Sequence, residues 1–269
     1  MGLRYWRLPF AFDAAAMQAE LERLPAAGWP VHFNTGYHDG GWSGLALVSS
    51  DGDATRLYVD AAPGQTGVAT PLLQACPTLR SVIETLPGAT QSARLLRLAP
   101  GAVIREHRDD GIGIEAGTVR LHVPIVTDPE VEFYLDGVRV VMAAGECWYL
   151  DFGLPHRVQN HSARERIHLV VDCVLDERLR ALLPDAGAGE ALVRAQVAPQ
   201  TSQQRFERFR ERVLADPALQ AELRRHADFD ALARAAQEAG AAGGLRFTVE
   251  DVRAAFHAGR RIWLERHLV

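Results

Sequence analysis

Over the first two-thirds of the chain, apolar and polar residues alternate in short runs broken by turn residues. The runs "TRLYVDA", "ARLLRLAPG", "VRLHVPIV", "VEFYLDGVRVVMAAGECWYLDF" and "ERIHLVVDCVL" have the period of strands that bury one face. Asp136-Gly137, between "VEFYL" and "VRVVM", predicts a tight hairpin, because both residues tolerate the left-handed backbone of a two-residue turn. Two helices are expected ahead of most of these strands. One runs from an N-cap at Asp13 to Leu24; the other covers "PLLQACPTLRSVIETL" and stops at Pro87-Gly88.

Beyond residue 200 the period changes from two to that of a helix. Phe206, Phe209 and Val213, then Leu219 and Leu223, then Leu232, then Val252 and Phe256 fall at helical spacings and predict a small bundle of three or four helices. Asp216-Pro217 reads as an N-cap with proline at the first helical position, and Thr248 with Asp251 reads as a capping box. The Ala-, Gly- and Pro-rich stretch 182–202 reads as a linker. The expected organisation is a β domain over 1–181, the linker, and a helical domain over 203–269.

Composition narrows the class. With 269 residues, 48% of them hydrophobic, the chain has enough material for a proper core, and it contains no apolar run of membrane-spanning length. "MGLRYWRLPF" lacks the build of a signal peptide, so the cytoplasm is the expected compartment. Cys76, Cys147 and Cys173 are widely spaced and odd in number, which points to reduced core thiols rather than a disulfide framework or a thiolate zinc site. All 29 basic side chains are arginine. A net charge of -5 argues against nucleic acid as the main partner.

The candidate chemistry begins at "IREHRDDGIG". In an extended strand, residues two apart face the same way, so His107 and Asp109 offer an imidazole and a carboxylate to one site, with Asp110 a competitor for the carboxylate role. His156 in "DFGLPHRVQN" follows an apolar strand and a turn, and supplies a third ligand. Two histidines and one carboxylate, with three positions left open, suit a non-haem Fe(II) oxygenase. Arg166 opens "RIHLVVD" and shares a face with His168; Arg120 and His122 repeat that spacing in "VRLHVPIV". Guanidinium groups on such faces suit a small dicarboxylate such as 2-oxoglutarate, chelating iron at one end and pairing with arginine at the other.

"HRD", "VRLHVPIV", "GECWYLDFGLPHRVQNHS" and "ERIHLVVD" together resemble the aspartyl/asparaginyl/prolyl β-hydroxylase family of 2-oxoglutarate oxygenases, over roughly residues 30 to 176. The resemblance implies a double-stranded β-helix (jelly roll), Fe(II), 2-oxoglutarate and O2, and hydroxylation of an amino-acid side chain. It implies His107 and His156 as iron ligands, Arg166 as the main cosubstrate arginine, and Arg120 and His122 as further cosubstrate contacts. Animal members that modify growth-factor-like domains carry glycine at the position of Asp109, so the full triad aligns this chain with bacterial members, some acting on free amino acids. "FERFRERVLADPALQAEL" with "FTVEDV" resembles the leader-peptide domain family first named from nitrogen-fixation operons. That implies a docking appendage for a peptide or protein partner.

Two other readings stay open at this point. Gly101, His107, Glu115 and the spacing from His156 to Asn160 also resemble a cupin, working as an isomerase, a dioxygenase without 2-oxoglutarate or a ligand-binding module. That reading prefers a histidine where Asp109 stands and leaves Arg166 without a task. The other is a peptide-binding scaffold with a degenerate iron site. The substrate stays open among a free amino acid, a carrier-tethered one and a peptide residue.

Overall fold

Seven strands, in the order β1 (Tyr5–Ala11), β9 (Glu146–Leu150), β6 (Thr118–Val126), β11 (Arg166–Val174), β4 (Thr90–Leu98), β2 (Trp42–Ser49) and β3 (Val68–Ala69), form one antiparallel sheet. Four more, β5 (Val103–His107), β10 (His156–Asn160), β7 (Val131–Leu135) and β8 (Val138–Arg139), form a second. The chain, seen in a computed structural model, is described at residues 2–24, 28–58, 65–185, 202–226, 228–243 and 245–257. It divides into two compact units, Met1–Val197 and Ala198–Val269. The first is a mainly antiparallel double-stranded β-helix with helices on one side, as the resemblance implied.

The two-residue period explains why the large sheet is buried on both faces. On β6, Val119, Leu121, Val123 and Ile125 face one apolar cluster, shared with Ile167, Leu169, Val171 and Cys173 of β11 and with Ala93 and Leu95 of β4. Helices α1 (Ala14–Leu21), α2 (Pro71–Gln74), α3 (Pro77–Thr85) and α4 (Glu177–Ala181) cover that face through residues such as Met17, Leu73, Leu79 and Leu179. Burying each such side chain is worth about 1.5–3 kcal/mol. The residues of opposite parity turn inward. Leu96, Leu98, Trp148 and Val170 there meet Ile104, Phe133, Leu135 and Val158 of the small sheet in a second cluster. Arg94, Arg120, His122, Arg166, His168 and Asp172 have that same inward parity.

Local signals account for most boundaries. Asp13 caps α1 by accepting from Ala16 N–H at 3.0 Å. Asp136 (φ 48°) and Gly137 (φ 73°) make the expected hairpin turn between β7 and β8. The helix expected from "PLLQACPTLRSVIETL" is in fact two. Pro77 has no N–H to continue the first, and its ring excludes the preceding turn. The second is capped from a distance, with the buried Glu20 of α1 accepting from Thr78 N–H (2.6 Å) and Leu79 N–H (2.9 Å).

Three strand expectations change. Of "TRLYVDA", the described residues 55–58 form no strand, because no neighbour pairs with them; the remaining residues lie outside the described set. The return of the hairpin is only Val138–Arg139 long. "YWRLPFA" forms β1 despite Pro9, which an edge strand tolerates with a register shift between Leu8 and Ala11.

The second unit holds α5 (Ser202–Ala215), α6 (Pro217–Leu223), α7 (Phe229–Ala242) and α8 (249–257) around Phe206, Phe209, Leu223, Ala233, Ala236, Phe247 and Val252. Asp216 caps α6 through Ala218 and Leu219 N–H. The capping box forms as read: Thr248 N–H donates to Asp251 at 2.8 Å and Asp251 N–H donates to Thr248 Oγ1 at 3.2 Å. Among the described residues no helix is long and apolar enough to cross a membrane.

Candidate functional site

The antiparallel pairing of β5 with β10 sets His107 directly opposite His156, with ring centres 4.2 Å apart. Each imidazole points its Nδ1 at a backbone carbonyl two residues earlier, Arg105 O at 2.8 Å and Leu154 O at 3.0 Å. A carbonyl only accepts, so Nδ1 carries the proton in both rings and both Nε2 lone pairs are free to bind a metal. Burial, with His107 alongside, pushes His156 down to about 4, which keeps it neutral near pH 7. Asp109 brings Oδ1 to 3.7 Å from His107 Nε2. One ligand atom from each of His107, Asp109 and His156 lies within 4.8 Å of the others, the one such triad among the described residues.

Asp109 reaches this place by a route the alternation argument did not contain. The strand ends at His107, and Asp109 sits in the following loop, where its N–H donates to Phe152 O at 2.9 Å. Its Oδ2 is engaged by Arg120, and Asp110 is exposed and outside the triad. Arg108 lies on the rim and donates to Gly153 O at 3.1 Å.

The triad opens into a cavity of about 700 Å³ that both Arg166 and His122 also line. Arg166 is 3% exposed, and among the described residues no carboxylate pairs with it. It donates to His168 Nδ1 at 2.8 Å, while its Nε finds no partner. Burial alone lowers its pKa to about 9, so it remains charged near neutrality. Because arginine only donates, His168 Nδ1 is the acceptor, and His122 Nδ1 lies 3.4 Å from the same nitrogen. Burial, followed by the Arg166 charge, holds both histidines well below their usual range.

Arg120, expected as a cosubstrate contact, lines the same cavity. Its guanidinium is engaged by two carboxylates of the protein itself, Asp109 and Asp172. Arg94 is 4% exposed and paired with Asp172. Arg97 is half-buried and donates from Nε to Ser43 Oγ at 3.0 Å. Asp172 and Phe152 were not singled out in the sequence. The available signal for Asp172 was an acid at the same inward parity as Arg166 and His168 on β11. Trp42 begins β2 and stacks on His32 at 3.4 Å on the cavity wall.

A jelly roll that brings two histidines and one carboxylate together at one end of its small sheet offers a donor set compatible with a single bound metal ion, iron included. The chain belongs to the aspartyl/asparaginyl beta-hydroxylase family, whose model matches residues 12–175. It is similar to the L-proline cis-4-hydroxylase of Rhizobium meliloti (strain 1021), at 28% identity over 166 residues, 60% of this chain; the chain spans 57% of that relative's length. Among solved structures, an oxidoreductase of the 2OG-Fe(II) oxygenase family from Burkholderia pseudomallei matches at 14% identity and TM-score 0.41, covering 63% of this chain and 84% of its own. A non-heme alpha-ketoglutarate-dependent carbocyclase from nogalamycin biosynthesis matches at 15% identity and TM-score 0.44, covering 69% and 88%. The helical unit lies outside the family match.

Proposed function

We propose that the β unit is an Fe(II)- and 2-oxoglutarate-dependent hydroxylase of an amino-acid side chain, free or within a peptide. The donor set fits the metal: two neutral imidazoles with free Nε2 atoms and one carboxylate oxygen converge. The observation that carries the reading is Arg166. A buried guanidinium without a carboxylate partner, on the wall of the same cavity as the triad, calls for an anionic ligand that reaches the metal as well. A cupin without 2-oxoglutarate gives that charge no task.

In this reading His107 Nε2, His156 Nε2 and Asp109 Oδ1 hold Fe(II), and Arg166 receives the distal carboxylate of 2-oxoglutarate, steadied by its bond to His168. His122 closes the same wall as a neutral group. When bound, Fe(II) with 2-oxoglutarate and O2 supplies the oxidative chemistry, giving succinate, CO2 and a hydroxylated substrate. The chain's own contribution is placement. Phe152 packs against both His122 and His156, with ring centres 4.8 and 4.7 Å apart, and keeps this end of the cavity apolar.

The test is turnover. Purified protein with Fe(II), 2-oxoglutarate and O2 is offered free amino acids, L-proline first, and then short peptides. The reading expects succinate and hydroxylated product in equal amounts from at least one. Substrate conversion that does not require 2-oxoglutarate overturns it.

A further inference from the structure

The triad fixes which residues can meet a metal, but not how many oxygens Asp109 contributes. A carboxylate can bind with one oxygen or two, and the second mode would occupy a position that cosubstrate or O2 needs. The answer lies on the neighbouring strands. Asp172 of β11 is fully buried and accepts from Arg120 Nε at 2.6 Å, from Arg120 Nη2 at 3.1 Å and from Arg94. Arg94 also donates to Leu57 O at 2.8 Å. With Nε and Nη2 of Arg120 taken by Asp172, its Nη1 is aimed at Asp109 Oδ2. Arg94, Asp172, Arg120 and Asp109 thus form a chain of alternating charge across β4, β11 and β6 to the loop after β5.

We propose that Asp172 is a positioning residue: through Arg120 it pins Asp109 Oδ2, so that Oδ1 alone serves as ligand. The inference rests on the metal-centre reading above. Pinning by a guanidinium has a physical consequence on each side. The bidentate contact with Asp172 fixes the fork, which a single contact would leave free to swing. The charge of Asp172 also offsets that of Arg120, which would otherwise draw electron density from the ligand carboxylate. Burial opposes ionisation of Asp172, but Arg120 and Arg94 outweigh it and hold its carboxyl below the usual range.

The full chain is titrated anaerobically with Co(II), following affinity and the visible ligand-field spectrum, as wild type, Asp172→Asn and Arg120→Lys. Both variants keep all three ligands. Each is expected to weaken Co(II) binding by roughly 10- to 100-fold, as loss of a ligand's supporting hydrogen bond does, and to change the spectrum. Arg120→Lys keeps the charge and loses only the fork, so it decides the matter if Asp172→Asn fails to fold. A folded variant with wild-type affinity and spectrum overturns the inference. A crystal structure of the Co(II)-loaded wild type needs no variant: Oδ1 on cobalt with Oδ2 on Arg120 supports it, and both oxygens on cobalt overturn it. Wild type that binds no Co(II) overturns the metal centre, and this inference with it.

Discussion

Replacing Arg166 with methionine should make the ligand-free protein more stable while removing its ability to bind 2-oxoglutarate. Arg166 is a buried charge with one hydrogen bond to a neutral histidine and, among the described residues, no ion partner. Burial lowers its pKa to about 9. At about 1.4 kcal/mol per pH unit, the fall from an ordinary arginine value means that folding works against the charged form by on the order of 5 kcal/mol. Methionine fills similar volume without that cost. Against it stands His168 Nδ1, which loses its donor, a loss of about 1–2 kcal/mol. The net gain is on the order of 3 kcal/mol, or about 10 °C in Tm for a unit of this size. Because a depressed arginine pKa means that the unfolded chain binds the proton more tightly, the gap is full below about pH 9 and narrows as the pH rises past it. Binding should move the other way. Losing a buried charge-assisted pair costs about 2–5 kcal/mol, so 2-oxoglutarate affinity should fall roughly 30-fold or more. The assay is paired thermal melts of metal-loaded wild type and variant, with and without 2-oxoglutarate. A variant that melts below wild type, or that 2-oxoglutarate stabilises as much as wild type, refutes the reasoning.

Acid should unfold the β unit early. Burial holds His32 at about 3, and His122 and His168 well below their usual range. A histidine kept neutral by folding contributes stability that is full above about pH 6.5 and is lost as the pH falls below it. Three of them give a slope of up to about 4 kcal/mol per pH unit, so the urea midpoint should drop steeply between pH 6.5 and 5; a flat profile contradicts this. Gly88→Ala should cost about 2–4 kcal/mol, read as a lower urea midpoint with Co(II) affinity unchanged, because it combines a left-handed backbone with a buried clash. The backbone there has φ 88°, and an added Cβ would lie 2.4 Å from Val174 O. A variant as stable as wild type would show that the strand-adjacent turn relaxes freely.

Much of the site was legible in the sequence because strands write their two faces into alternate positions. "VRLHVPIV" and "RIHLVVD" send Arg120, His122, Arg166 and His168 inward and their aliphatic neighbours toward the helices, as the pattern requires. The step from His107 to Asp109 led to a correct grouping through an incomplete reason, since the strand stops at His107 and the bond from Asp109 N–H to Phe152 O completes the aim. What stayed illegible was pairing. Nothing local to Arg94 or Arg120 says that Asp172, 78 and 52 positions away, will meet them. Parity alone therefore could not separate Arg166, which among the described residues meets no carboxylate, from two arginines that pair with the protein's own acids. "TRLYVDA" failed for a related reason: alternation marks a strand only where another strand is there to receive it. The helical unit was readable from its caps, because Asp216 and the Thr248–Asp251 box act within one turn.

The most direct test of the account is an anaerobic titration of the full chain with Fe(II) and then 2-oxoglutarate, watching for the visible charge-transfer band of the chelate, with His156→Ala and Arg166→Met measured in parallel. The account predicts the band in wild type, its loss in His156→Ala with the metal, and its marked weakening in Arg166→Met although Fe(II) still binds. Wild type that binds Fe(II) but never develops the band, or a band that Arg166→Met leaves untouched, would contradict it.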